Sequence, residues 1–176
     1  MLKFWRENRY AAMIVTIIRV VLGYQWITSG WGKLTGGGFD ASGYLTNAIT
    51  NPVAKGDEVL YPMYNAFIEH VALPMVDVIN FIIPWGELLV GIGLITGILT
   101  LPAVFFGMLM NFMFMFAGTV STNPKMVLLG FLVLLAAGNA GKFGGDYFVA
   151  PWLKTHLWAK LKREKKEGAE LKTKTV

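Results

Sequence analysis

The sequence contains no cysteine, and this absence excludes several kinds of chemistry. A chain without thiols forms no disulfide, has no cysteine nucleophile and cannot hold an iron–sulfur cluster or a metal through cysteine. Histidine is almost as scarce, because its two copies, His70 and His156, lie far apart in very different sequence settings. We therefore predict neither a metal site nor a haem.

Charged residues are also few. They make up 15% of the 176 residues, against 55% hydrophobic residues, whereas a soluble domain usually has about a quarter of its residues charged. The stretch from Leu88 to Pro124 contains no charge at all. It is too long for one transmembrane helix of about 20 residues and has the right length for two. These features predict an all-α integral membrane protein.

The apolar segments predict a bundle of four transmembrane helices. Pro102 marks the break in the uncharged stretch, because proline suits the first turn of a helix better than its interior. The membrane domain would cover residues 1–150, followed by a basic tail, 151–176. The outer loop, 32–80, would contain short helices at about Ala41–Thr50 and Pro62–Ile79. The expected spans are about 10–31, 81–99, 101–119 and 124–141.

The net charge of +5 comes from basic residues at the two ends of the chain. Lys3, Arg6 and Arg9 precede the first span, and the tail is rich in lysine. Such flanks are typical of the cytoplasmic side of a membrane, so we expect a multi-pass plasma-membrane protein with both termini in the cytoplasm. The same distribution argues for contact with the lipid bilayer and against a nucleic-acid partner.

Two ionisable residues fall within predicted spans, Arg19 in the first and Glu87 in the second. A charge at that depth is costly unless it is paired or hydrated, so each marks a candidate functional position. Pairing Arg19 with Glu87 would keep both charges in the membrane at least cost. The pair could fix the packing of the helices, or it could line a pocket.

One face of the first span combines cations, an aromatic ring and small residues. Ser29 lies beside this face, and Asn111 interrupts the third span with a buried amide that needs hydrogen-bond partners. The arrangement suits a quinone headgroup or a small oxyanion. Alternatively, the glycines allow close helix packing and the tryptophan anchors the helix at the interface. The residues of the face recur at intervals of three or four: Arg19, Gly23, Trp26, Gly30 and Lys33.

Four stretches together resemble the DoxX/DoxD family of membrane proteins. They are spread over nearly the whole chain apart from the two tails and part of the loop. Each alone is weakly specific, and the combination is more so. The stretches are "IIRVVLGYQWITSGWGKL", "IPWGELLVGIGLITGILT", "MNFMFMFAGTVSTNP" and "AGNAGKFGGDYFVAP".

The resemblance implies a four-helix membrane bundle related to the large subunit of thiosulfate:quinone oxidoreductase. It assigns the membrane arginine, the outer lysine and the helix-two glutamate of the family to Arg19, Lys33 and Glu87, and its exit aspartate to Asp146. The hypothesis is a membrane subunit that passes electrons from a sulfur compound to a quinone, with a small partner subunit. Arg19, Lys33 and Glu87 would be catalytic, and Trp26, Ser29 and Asn111 would bind the quinone or substrate.

Two other functions are compatible with the same residues. The chain could be a non-catalytic scaffold or assembly partner of a redox complex, in which the Arg19–Glu87 pair is structural. It could also be a small-molecule carrier, although four helices without an internal repeat are unusual for one. A homo-oligomer is compatible with each of these functions.

Overall fold

The computed structural model describes residues 2–156, and these form a mainly helical structure. About half of the described residues lie in four apolar helices that run alternately up and down. Their lengths, at 1.5 Å per residue, are about 40, 32, 26 and 20 Å. They are α2 (Arg9–Thr35), α5 (Val76–Thr96), α6 (Thr100–Phe116) and α7 (Asn123–Leu135).

Shorter elements complete the structure at both ends of these helices. The chain begins with α1, and a two-stranded antiparallel hairpin and two short helices occupy the long loop between α2 and α5. These elements are α1 (Leu2–Glu7), α3 (Ser42–Thr50), β1 (Ala54–Lys55), β2 (Glu58–Val59), α4 (Pro62–Phe67), a π-helix (Ile68–Ala72), a 3-10 helix (Ala137–Asn139) and α8 (146–156).

Two of the helices, α2 and α5, are long and apolar enough to cross a membrane. Helices α6 and α7 are also apolar but have only 17 and 13 residues. Large hydrophobic side chains such as Ile17, Leu89, Phe105 and Leu128 point outward and are more than half exposed. Such an apolar exterior suits lipid better than water.

Glycines bring α2 and α5 into close contact. A methyl group added to Gly30 would lie 2.8 Å from the carbonyl oxygen of Pro84, and one added to Gly91 would lie 2.6 Å from the amide nitrogen of Ile27. Real side chains do not tolerate such distances, so only glycine fits at these crossings. Small residues at helix contacts are the usual packing device in membranes, where lipid competes for apolar surface.

The core between the four long helices is made of aliphatic side chains and one tryptophan. Trp26 lies at its centre, only 2% exposed. Helix α1 is joined to the end of α7 by hydrogen bonds, since the indole nitrogen of Trp5 donates to the carbonyl of Leu132 (2.8 Å). The buried members of the core are Val15, Leu22, Trp26, Val90, Leu94, Val104, Met126, Val133, Ala136 and Ala140.

The outer loop has its own small core and covers one end of the bundle. Leu45 and Ala48 of α3 pack against Ile68 and Ala72 of the π-helix, beside Ala117 at the end of α6. The hydroxyl of Tyr64 donates to the carbonyl of Met113 in the last turn of α6 (3.0 Å), which also accepts from the amide nitrogen of Ala117 (3.1 Å). The loop is therefore attached to the helices and is not a free connection.

Several observed bounds differ from the expected ones. The expected loop helix Pro62–Ile79 is divided: α4 and the π-helix end at Ala72, and α5 begins at Val76 rather than near residue 81. The early start places Asp77 in the first turn of α5, where the positive end of the helix dipole stabilises a carboxylate. Pro84 consequently lies inside the helix.

The end of the fourth helix also differs. We expected it to run to about residue 141, but α7 ends at Leu135, and Ala137 has a left-handed backbone conformation (φ 48°) that stops it. Residues 151–156 of the expected tail belong to α8, and the rest of the tail lies outside the described residues.

Candidate functional site

A pocket of about 450 Å3 opens near the end of α2, beneath the outer loop. Its walls come from α2, α5, α6 and α7, from the turn that precedes α7, and from the outer loop with α3. Five of the six residues predicted to form the site line this pocket: Trp26, Ser29, Lys33, Glu87 and Asn111.

Glu87 and Lys33 form an ion pair in this pocket. The Lys33 ammonium lies 2.8 Å from Oε1 and 2.6 Å from Oε2 of Glu87. The Glu87 side chain is 2% exposed and that of Lys33 is 27% exposed. A buried carboxylate is stable as an anion only when a cation and hydrogen bonds compensate for its lost hydration.

Ser29 completes this hydrogen-bonded cluster. Its hydroxyl donates to Oε2 of Glu87 (2.9 Å) and accepts from the Lys33 ammonium (2.8 Å). An ammonium has three hydrogens, so the contacts to Oε1, Oε2 and Ser29 use all of its donors. The cluster is electrically neutral and internally satisfied.

The local sequence explains why these groups meet. Ser29 and Lys33 are four residues apart, so they lie on the same face of α2, one turn from each other. Gly30 lies between them and allows α5 to approach, because a methyl group there would be 3.1 Å from Cβ of Glu87. The contact between α2 and α5 therefore brings the carboxylate into reach of both side chains.

The predicted pairing of Arg19 with Glu87 is wrong. Arg19 lies 11 residues before Gly30, which is level with Glu87, and this separates them by about 16 Å along the axis of α2. Among the described residues, the one salt bridge joins Lys33 to Glu87. The pairing failed because the contact between α2 and α5 sets Gly30 against Glu87 and Leu88, and sets Arg19 against Gly97.

Arg19 instead lies at the opposite end of the bundle, fully buried against backbone. Its Nη2 donates to the carbonyl of Phe143 (3.3 Å), and Gly97 and Gly144 pack directly against the guanidinium. Gly97 ends α5 in a left-handed conformation. A cation at this position faces the negative end of the α5 dipole. Its Nε and Nη1 are buried without a hydrogen-bond partner among the described residues, and Arg19 does not line the pocket.

Two amide side chains in the pocket wall have unused hydrogen-bonding capacity. Oδ1 of Asn111 and Oε1 of Gln25 are buried and have no partner among the described residues. A buried polar atom without a partner is costly and is usually paired by water or a ligand. Either amide can turn to offer its oxygen or its NH2 group, so together they could bind a donor or an acceptor.

Aromatic residues from the outer loop close the pocket. The Phe39 ring lies 5.6 Å from the Lys33 ammonium, a favourable cation–aromatic distance. The Tyr44 hydroxyl donates to the carbonyl of Phe114 (3.3 Å), and burial raises the pKa of Tyr44. The sequence reasoning missed both residues. One sequence feature could have indicated the position of Phe39. It follows a run of three glycines, Gly36–Gly38, and the last two of them adopt the positive φ angles of a turn.

Asp146, matched above to the exit aspartate of the family, makes contacts that hold two helices together. Its carboxylate oxygens accept from the amide nitrogens of Leu99 (2.7 Å) and Thr100 (2.9 Å) at the start of α6. These are backbone donors that a helix start leaves unpaired. Asp146 therefore caps α6 and joins it to α8. In residues 2–156, no group of three or more histidine or acidic side chains could hold a metal ion.

Comparison with known proteins agrees with this membrane architecture. The DoxX family model matches residues 14–122, which is more than half of the chain. The chain belongs to the DoxX family. The matched region contains the whole Lys33–Glu87–Ser29 cluster as well as Trp26 and Asn111, whereas Asp146 lies beyond it. No curated protein and no solved structure matches the chain.

Proposed function

We propose that this DoxX membrane protein binds a quinone in the pocket around Lys33, Glu87 and Asn111. In this proposal it is the membrane subunit of an oxidoreductase that uses thiosulfate or a related sulfur compound. The observation that carries the proposal is a neutral, buried, hydrogen-bonded cluster at the base of a pocket with aromatic walls.

The pocket chemistry favours an uncharged, amphipathic ligand. The charges of Lys33 and Glu87 cancel, and all three donors of the ammonium are occupied, so no free cation remains to bind an oxyanion. The walls formed by Trp26, Phe39 and Phe114 suit a flat ring. A quinone has such a ring with two carbonyl oxygens that need donors, and the amides of Asn111 and Gln25 can supply them.

A quinone supplies one chemical capacity: it accepts two electrons and two protons. The protein groups that handle protons beside it would be Glu87 and Ser29. The two protons would come from water. Glu87, which is ionised in its pair with Lys33, would take up each proton in turn and pass it on through the Ser29 hydroxyl, and Lys33 would stabilise the carboxylate before uptake and after release. Two thiosulfate ions would supply the two electrons by joining through a new S–S bond as tetrathionate. Since the pocket favours neutral molecules, the anions would react at its outer mouth or on a partner subunit.

We further propose that α6 and α7 complete a four-span bundle in the plasma membrane, with both basic ends in the cytoplasm. Their exteriors carry apolar side chains such as Phe105, Phe106 and Phe131, all more than half exposed. The turn that precedes α7 also lines the pocket, so a bundle without this helix would leave the pocket incomplete.

The test starts from protein purified in mild detergent. Quinone is extracted and identified by mass spectrometry, and reduction of an added quinone is followed with thiosulfate and other sulfur donors, with and without candidate small subunits. We expect bound quinone and turnover, and loss of turnover in Lys33→Met and Glu87→Gln at unchanged helical content. Absence of both bound quinone and turnover in every combination would refute the proposal and favour the scaffold.

A further inference from the structure

A second cavity lies at the opposite end of the bundle from the Lys33–Glu87 pocket. It is a groove of about 590 Å3 between the start of α6, the turn that follows α7, and α8. Most of its wall is apolar. Leu101 and Pro102 form one side, and Val149, Ala150 and Leu153 of α8 form the other.

The rim of this groove carries two lysines without acidic partners. Lys142 and Lys154 both line it and are exposed, and neither has a carboxylate within 4 Å among the described residues. Asp146 is the acidic residue in the wall, but its two oxygens already accept from Leu99 and Thr100. Within residues 2–156, two lysines and one carboxylate line the groove, so it presents a net positive charge.

Polar and aromatic groups extend the same surface. Thr100 borders the groove, and its buried hydroxyl oxygen has no hydrogen-bond partner among the described residues. An adjoining cavity shares Lys142 and Tyr147 with the groove and adds a further cation, Arg9. Tyr147, Phe148 and Trp152 are 66%, 75% and 58% exposed. Exposed aromatic rings next to lysines are typical of the headgroup level of a bilayer.

We propose that this groove binds an anionic phospholipid of the surrounding membrane. The phosphate of the headgroup contacts Lys142 and Lys154, and an acyl chain occupies the apolar groove between α6 and α8. Charge complementarity selects the ligand, because a groove with an excess of positive charge favours a net negative headgroup over a zwitterionic one. The site does not depend on quinone binding at the other end of the bundle.

The experiment is native mass spectrometry of the full chain in neutral detergent at low salt. The protein is titrated with phosphatidylglycerol and with phosphatidylcholine that carry identical acyl chains. The wild type should bind phosphatidylglycerol about 30 times more tightly than phosphatidylcholine. Each lysine near an anionic phosphate is expected to contribute a factor of about five, so Lys142→Ala/Lys154→Ala should weaken phosphatidylglycerol binding about 30-fold and leave phosphatidylcholine unchanged.

Two further variants separate this site from general surface charge. Lys55→Ala/Lys125→Ala removes the same charge from exposed positions at the outer end and should not alter binding. Gly138→Leu adds an apolar side chain to the lining of the groove without changing charge, and it is sterically tolerated because nothing lies within 4 Å of a methyl group added at Gly138. Gly138→Leu should weaken the binding of both lipids, and it tests the groove even if the double lysine variant does not fold.

Three results would overturn the proposal. Equal affinity of the wild type for the two lipids would show that charge does not select the ligand. If Lys55→Ala/Lys125→Ala weakened phosphatidylglycerol binding as much as Lys142→Ala/Lys154→Ala, the effect would come from the net charge of the protein and not from the groove. Displacement of the lipid by an equal concentration of soluble glycerol phosphate would show that the ligand is a free phosphate compound and that the apolar groove plays no part.

Discussion

The strength of the Lys33–Glu87 pair can be predicted from its burial. Removing one partner of a buried ion pair costs about 3–5 kcal/mol, because the other charge remains desolvated and alone. Glu87 is 2% exposed, but Lys33 is 27% exposed and keeps part of its hydration. We therefore expect Lys33→Met to lower the free energy of unfolding by about 2–3 kcal/mol, roughly a 30- to 160-fold change in the unfolding equilibrium constant.

Glu87→Gln should cost less, about 1–2 kcal/mol, because the lysine left behind can reach water and the amide can still hydrogen-bond to Ser29. The double variant Lys33→Met/Glu87→Gln has no unpaired charge. The double variant should therefore lower the free energy of unfolding by less than the sum of the two single variants, and the difference should be at least about 1 kcal/mol. The assay is reversible unfolding in mixed micelles, followed by circular dichroism.

Lys125→Met is the matched control, since Lys125 is exposed and has no salt bridge within the described residues. It should change stability by no more than about 0.5 kcal/mol. The reasoning is refuted if Lys33→Met behaves like this control, or if its effect simply adds to that of Glu87→Gln. Non-additivity between Arg19→Met and Glu87→Gln would instead restore the pairing that the structure contradicts.

Three further predictions concern the scaffold of the site. Gly30→Ala should destabilise the protein by about 1–3 kcal/mol in the same unfolding assay, because its methyl group would meet the α5 backbone at 2.7–2.8 Å. Gly32→Ala, where nothing lies within 4 Å, should be neutral or slightly stabilising. Asp146→Ala should cost about 0.5–2 kcal/mol through loss of the α6 cap, and Asp146→Asn, which keeps one acceptor, should cost less. Burial raises the pKa of Tyr64, so its stabilising contribution is complete below the pKa of an unfolded tyrosine and is lost as pH rises through the folded value. Absorbance titration of the phenolates should show a late fraction from Tyr44 and Tyr64 that Tyr64→Phe reduces, whereas an unchanged late fraction in Tyr64→Phe would contradict this.

Composition and spacing were sufficient to predict a helical membrane protein and most of the pocket. The uncharged stretch from Leu88 to Pro124 indicated two apolar helices, and the structure breaks it close to Pro102 as expected. The i, i+4 spacing placed Ser29 and Lys33 on one face. The buried amide of Asn111 was also expected to need partners, and its oxygen lacks one within the described chain.

The partner of Glu87 could not be obtained from the sequence in the same way. Which residues of two antiparallel helices face each other depends on where both helices end, and these bounds are the least reliable feature of a sequence-based prediction. The structure sets Gly30 against Pro84 and Leu88, and Gly23 against Gly91 and Ile95. This alignment places Glu87 beside Ser29 and leaves Arg19 level with Gly97.

The roles of Phe39 and Asp146 depend on contacts between distant parts of the chain. Asp146 caps a helix that begins 46 residues earlier, and no local pattern indicates such a contact. Phe39 reaches Lys33 because three glycines turn the chain back over the end of α2. The geometry of this turn, and not the residue types alone, determines which ring covers the pocket.

Quinone affinity is the measurement that tests the central claim most directly. Quenching of tryptophan fluorescence by a short-chain quinone would be titrated in the wild type, Lys33→Met, Asn111→Leu and Lys125→Met, since Trp26 lines the pocket. We predict saturable quenching in the wild type and in Lys125→Met, with at least tenfold weaker binding in Lys33→Met and in Asn111→Leu. Unchanged affinity in both pocket variants, with their folds intact, would contradict a quinone site at the Lys33–Glu87 pair.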